Sequence, residues 1–242
     1  MITLQEQVSG FVPPHHWRPQ KLKYILRSRK GNKNDGLQEK NLLSLSYGNI
    51  IRKDINQAEG LVPASYEGYQ IVEPGDIVLR LTDLQNDKKS LRQGLVKERG
   101  IVTSAYDAVF PGEDEEPEYW YYFLFALDIL KYYYSLGGGV RQSISFKDFP
   151  NAWIMAPQRD EQIKTVRELK KSLDAMQSII SLIGGNRSAQ VAQDGTLLSL
   201  INKRKQAAIV QAIMAPEKSA EFEISDDALV RAVNSTTKLA GV

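Results

Sequence analysis

The 242-residue chain has no cysteine and only two histidines. Without thiols there is no disulfide scaffold, no zinc ribbon and no cysteine nucleophile. The histidines, His15 and His16, are neighbours in a proline-flanked stretch, and the sequence singles out no carboxylates to complete a metal site with them. No apolar run approaches the roughly 18–20 residues of a membrane span, and the first ten residues are too mixed for a secretory signal. A soluble, cytoplasmic protein is expected. Phosphate-loop chemistry is missing too, because no glycine-rich turn ends in Gly-Lys-Ser/Thr. Gly137-Gly138-Gly139 runs into Val140-Arg141-Gln142 and reads as a helix terminator and tight turn. There is no Asn/Asp-Pro-Pro-aromatic motif of an amino-methyltransferase, and no residue set calls for a bound cofactor.

What is present is ordinary globular material, with 42% hydrophobic residues and enough length for one large domain or two small ones. Its 31 basic and 29 acidic side chains nearly cancel, but they are unevenly placed. Residues 1–53 carry ten Lys or Arg against three acids, whereas an acidic knot follows at Glu113, Asp114, Glu115, Glu116 and Glu118. Overall charge neither demands nor excludes a nucleic-acid partner. The acidic knot reads as a solvated charge run before it reads as a docking face.

Two regimes follow one another along the chain. Up to about residue 156 the pattern is short and punctuated, predicting strands over 42–45, 70–72, 76–81 and 101–109 between Gly, Pro, Asn and Asp turns. One unbroken helix is predicted over 118–135, opened by Pro117 and closed by the triple glycine. From Asp160 the pattern becomes helical. Val166, Leu173 and Ile180 recur every seven residues, interleaved with Leu169, Met176 and Ile183. Together they make an a/d seam that packs lengthwise on another helix. Leu197 and Ile201 continue its phase beyond a polar stretch at 184–195, where paired glycines favour a break into two helices. The remainder, from 215 to 242, reads as a weakly ordered tail with a short helix at 226–233.

From Trp17 to Ala215 the order of segments resembles the specificity subunits of type I restriction–modification systems. The segments that carry the likeness are Trp17 with 21–26, Leu42-Leu43-Ser44-Leu45-Ser46, and Tyr69 through Val78 around Glu73-Pro74-Gly75-Asp76. They continue with Gly100 through Tyr106, Gly137 through Phe149, Ala156-Pro157-Gln158-Arg159-Asp160-Glu161-Gln162 and Lys203 through Ile209. The resemblance implies an α+β fold: a globular target-recognition domain of short twisted strands and helices over 17–157, after a lead-in at 1–16. A coiled-coil-like spacer and dimerisation region follows over 158–214. It also implies a subunit that reads double-stranded DNA without catalysing anything. Adenine methylation would belong to methyltransferase subunits and ATP-driven cleavage to a restriction or motor subunit. Family members commonly carry two recognition domains and two helices, so this chain looks like a half-subunit, paired as a homodimer on a bipartite target.

Base reading needs Arg, Lys, Asn, Gln and hydroxyl side chains at groove edges, with further cations on phosphates. The loop holding Arg27, Arg29, Lys30, Asn32, Lys33 and Asn34 supplies four cations and two amides in eight residues. Tyr47 and Asn49 flank a turn, Arg80 and Thr82 end a strand, and Arg141, Gln142 and Ser143 follow the triple glycine, with Lys147 close behind. These are the candidate DNA contacts. The candidate dimer contacts are the seam residues Val166, Leu169, Leu173, Met176, Ile180 and Ile183, with Leu197 and Ile201. Two other readings compete. In one, Asp76 with Asp83, Asp87, Lys88 and Lys89 builds a stand-alone Mg²⁺-dependent nuclease; in the other, the chain is a coiled-coil adaptor that binds no DNA.

Overall fold

The computed structural model describes residues 2–29, 31–54, 65–84, 91–136, 143–184 and 196–216. The chain forms two compact units, Met1–Val166 and Arg167–Val242. No described helix is long and apolar enough to cross a membrane.

The first unit opens with a helix, α1 (Leu4–Ser9), inside the stretch that reads as a polar lead-in. A capping box explains it: the Thr3 hydroxyl accepts the Glu6 N–H at 3.3 Å while the Glu6 carboxylate accepts the Thr3 N–H at 2.7 Å. Gln5 is fully buried, and its amide both donates to Met155 O (2.6 Å) and accepts from Met155 N (3.2 Å). That side chain serves as a substitute strand along β10 (Trp153–Ala156), whose other edge pairs antiparallel with β1 (Arg18–Lys21), which runs directly into the one-turn helix α2 (Leu22–Ile25).

Two four-stranded sheets form the body. One has the order β2 (Leu26–Ser28), β9 (Asp107–Pro111), β6 (Ile77–Leu79), β7 (Gln93–Leu95), and is antiparallel throughout. The other has the order β4 (Asn49–Lys53), β3 (Leu42–Ser46), β8 (Gly100–Val102), β5 (Gln70–Val72), with only β3 and β8 parallel. Leu43, Val72, Val78, Val96, Val102 and Ala108 pool side chains from both sheets into one core. On the opposite face of the second sheet, Leu42, Ile71 and Ile101 pack beneath Tyr66 and Tyr69. The single strand expected over 101–109 is two strands in different sheets, divided by a turn in which Tyr106 N–H donates to Thr103 O. Gly100 lets β8 lie close against β3: a Cβ there would lie 2.6 Å from the Asn41 carbonyl oxygen.

The helix expected over 118–135 is also two, α3 (Pro117–Ile129) and α4 (Tyr132–Leu136), with Lys131 between them at φ 62°. The break pays off in aromatic packing. It turns Tyr132 and Tyr133 onto Phe149, with centroids 5.9 and 5.6 Å away, and lets the Tyr133 hydroxyl donate to Leu124 O. A straight continuation would carry both rings away along the helix axis.

Helix α5 (Arg159–Gly184) begins in the first unit, and the second unit holds its remainder together with α6 (Thr196–Met214). Lys205 Nζ donates to Gln177 Oε1 at 2.7 Å. In one straight helix those residues would stand about 42 Å apart, so α6 runs back beside α5. Matching 177 with 205 in an antiparallel pair sets Ile209 opposite Leu173 and Ile213 opposite Leu169. Leu169, Ile209 and Ile213 are all buried. Part of the predicted seam is covered within this chain: Val166 and Leu169 are buried, while Leu173, Met176, Ile180 and Ile201 are half-buried. The helix expected at 226–233 lies outside the described residues.

Candidate nucleic-acid interface

The loop after β2 is pinned to β5 on both sides. Ile71 N–H donates to Asn32 O and Asn34 N–H to Tyr69 O, and the Asn32 amide donates to Ile71 O at 2.9 Å. Asn34 is fully buried; its amide donates to Glu39 O and Tyr66 O and accepts from Glu39 N. The expectation that Asn34 contacts DNA is therefore corrected. Its side chain is spent folding the loop, because a buried amide must find partners inside the protein. Arg29 is also committed inward. Its Nη2 lies 2.7 Å from Asp76 Oδ1, its Nε 2.6 Å from Oδ2, and its guanidinium sits 4.6 Å from the Phe110 ring centroid. Arg27 and Lys33 are exposed, and Lys30 lies outside the described residues. An open hollow of about 460 Å³ adjoins the Arg29 pair, lined by Ser28, Arg29, Gly31, Asn32, Glu73 and Phe110.

Asp76 carries the nuclease alternative, and its surroundings tell against it. The carboxylate is 1% exposed, with both oxygens facing Arg29 and one also accepting the Glu73 N–H at 2.9 Å. Burial pushes its pKa up even against the guanidinium. Asp83 is exposed, while Asp87, Lys88 and Lys89 lie outside the described residues. Among the described residues no three His, Cys, Asp or Glu side chains gather as a metal-holding group.

The β3–β4 hairpin presents Tyr47 and Asn49 at its tip, both exposed. Tyr47 (φ 46°) and Gly48 (φ 79°) form a two-residue loop with the left-handed backbone that a tight hairpin requires. Arg80 is exposed at the end of β6, and the turn beyond it is built around Arg92. That guanidinium is buried and donates to the carbonyls of Arg80, Thr82, Asp83 and Leu84. Ser143 and Lys147 are exposed beside a second capping box, Ser145 with Asp148. Arg141 and Gln142 lie outside the described residues. The hairpin and the β5 strand that holds the β2 loop stand at opposite edges of the second sheet, so these candidates form separate groups.

With that geometry in place, the chain can be set beside known proteins. It resembles type I restriction–modification specificity subunits. The HsdS subunit from Thermoanaerobacter tengcongensis aligns over 87% of this chain and 49% of its own, at 15% identity and a TM-score of 0.45. The S subunit of the type I system from M. genitalium aligns over 73% and 45%, at 12% identity and a TM-score of 0.43. A chain from a structure of complex assembly and conformational transition in a type I system aligns over 86% and 50%, at 15% identity and a TM-score of 0.47. The present chain thus spans about half the length of these solved chains. Neither a protein-family model nor a curated protein matches it.

Two polar features escaped the sequence reading. Glu115 and Gln162 form a buried node: Gln162 Nε2 donates to Glu115 Oε2 (2.6 Å) and to Pro157 O, and its Oε1 accepts the Glu116 N–H. Trp120 Nε1 donates to the same Glu115 oxygen. Part of the acidic knot is therefore internal framework, tying the first turn of α5 to the start of α3. Nearby, Trp17 Nε1 donates to Glu161 Oε1 at 2.9 Å. Arg92 is the second feature, and no local signal marks it, since all four of its carbonyl acceptors lie eight to twelve residues upstream.

Proposed function

We propose that this chain is a non-catalytic DNA-recognition subunit of a type I restriction–modification complex. It binds one half of a bipartite target and dimerises through its helical unit to position methyltransferase subunits. The observation that carries the reading is where the resembling segments fall. Residues 42–46 are β3, 69–78 run from β5 through the Asp76 turn into β6, and 100–106 hold β8 and the crossing turn. Residues 156–162 hold the Gln162 node, and 203–209 lie in α6 with the Lys205 contact to α5. These segments thus fall on framework positions, and the exposed side chains beside them are available to set sequence preference.

Partners supply the chemistry in this reading: methyl transfer from S-adenosylmethionine and ATP-driven cleavage are theirs. Co-expressed with type I methyltransferase subunits, the chain should direct adenine methylation to one palindromic, interrupted sequence, read by sequencing that detects the modified base. Methylation that is absent, or unchanged when this chain is omitted, refutes the proposal. So does DNA cutting by the purified chain with Mg²⁺ alone.

A further inference from the structure

The β3–β4 hairpin has two unlike faces. Opposed pairs in an antiparallel ladder point to one side, so Leu43 with Arg52 and Leu45 with Ile50 share a face. That face is internal: Leu43 belongs to the shared core, and Leu45 and Ile50 close over Gly94. The opposite face carries Leu42 with Lys53, Ser44 with Ile51, and Ser46 with Asn49. At its root Leu42 lies in the cluster covered by Tyr66 and Tyr69, but toward the tip the face opens. Ser44 and Ser46 are half-buried, Asn49 and Lys53 are exposed, Ile51 is 42% exposed and Tyr47 is 73% exposed.

We infer that this outer face is a base-reading ribbon that enters the DNA major groove, with Ser46, Asn49 and Ile51 meeting base edges and Lys53 a phosphate. The inference rests on the DNA-recognition reading above and adds a specific surface to it. Three observations support DNA as the occupant. The first is charge: Lys53 is the one ionic side chain among the six residues of that face, which suits a polyanion, while Arg52, on the other face, is paired with Glu98. The second is width, because two strands about 4.8 Å apart fit a groove roughly 12 Å wide. The third is chemistry. The face offers hydroxyls and an amide for base donors and acceptors, and an exposed isoleucine suited to a thymine methyl group. A solvent face built for solubility alone has no need of the isoleucine.

The ribbon is also held rigid. Tyr121 Oη donates to Gly48 O at 3.2 Å, and a Cβ on Gly48 would lie 3.5–3.6 Å from Leu91 and Phe125. The Asn49 amide donates to Tyr47 O at 3.2 Å, steadying the tip. A reading head gains affinity from such preorganisation, since less freedom is lost on binding.

The test uses the full chain and a library of random-sequence duplexes, selected through repeated rounds of binding. Wild type should enrich one consensus. Asn49→Ala and Ile51→Ala should each relax preference by about tenfold or more at one or two adjacent positions of that consensus, leaving the others intact. Lys53→Ala should instead weaken all duplexes by a similar factor and lower the salt dependence of binding. All three positions are exposed, and unchanged circular dichroism will verify the fold. A wild-type consensus that survives all three substitutions overturns the ribbon while leaving DNA recognition standing. A wild-type chain that enriches no sequence overturns both.

Discussion

Individual polar residues show how one residue type serves opposite ends. Asn34 and Asn49 both sit in turns between apolar runs, yet one is sealed inside and the other faces solvent. Local sequence cannot separate them, because Asn34 is buried by Glu39 and by Tyr66, the latter 32 residues away. Asp128 gives this contrast an energetic form. It is fully buried, accepts the backbone N–H groups of Leu91 (2.7 Å) and Arg92 (3.0 Å), and has its pKa pushed up by burial. A carboxyl that holds its proton more tightly when folded adds stability below the ordinary carboxylate range. That contribution is lost as pH rises through the raised folded pKa. Asp128→Ala should cost about 1–3 kcal/mol, as expected when buried donors lose their acceptor. The cost should be largest in acid and shrink toward neutral pH. Urea unfolding at several pH values measures it; a cost that grows with pH would mean the two N–H groups outweigh burial and hold the carboxyl low.

Elements were legible in proportion to how far their pattern ran within the chain itself. The heptad series of α5 and the strand at Leu42–Ser46 were plain. The strands at Arg18–Lys21, Leu26–Ser28, Asn49–Lys53, Gln93–Leu95 and Trp153–Ala156 were not, since they are only three to five residues long, too short to show a period. Gln93-Gly94-Leu95 shows no alternation because a glycine lies where Leu45 and Ile50 need room. The seam itself was visible, but not what covers it, for a heptad repeat names no partner. The antiparallel course of α5 and α6 is directly testable, because the chain has no cysteine of its own. The double variant Gln177→Cys, Lys205→Cys should form an intramolecular bridge with a short bis-maleimide, seen as a faster band on a denaturing gel. Gln177→Cys with Leu200→Cys, five residues out of register, should bridge far less. Equal yields, or bridging only between chains, would refute the pairing.

At the scale of the whole molecule, the balanced charge conceals a division of labour. Several cations of the first unit are already paired with carboxylates: Arg29 with the buried Asp76, and at the surface Arg52 with Glu98 and Arg99 with Glu39 and Glu73. Arg27, Lys33, Lys53, Arg80 and Lys147 remain exposed. The helical unit has a different unmet need. Two helices bury one stripe between them, but Leu173, Met176, Ile180 and Ile201 are only half-buried and Leu200 is 56% exposed. Apolar side chains left in this state on a two-helix unit suit a second pair of helices, and two copies supply one with the two-fold symmetry of a palindromic target. Light scattering should therefore give twice the single-chain mass for wild type and the single-chain mass for Leu173→Glu with Met176→Glu. Helix content by circular dichroism should be retained in the variant, which separates lost pairing from lost folding. The separated chains should then protect one half-site where the dimer protects two at fixed spacing. A monomeric wild type, or a variant that still pairs, would place the dimer contact elsewhere on the chain.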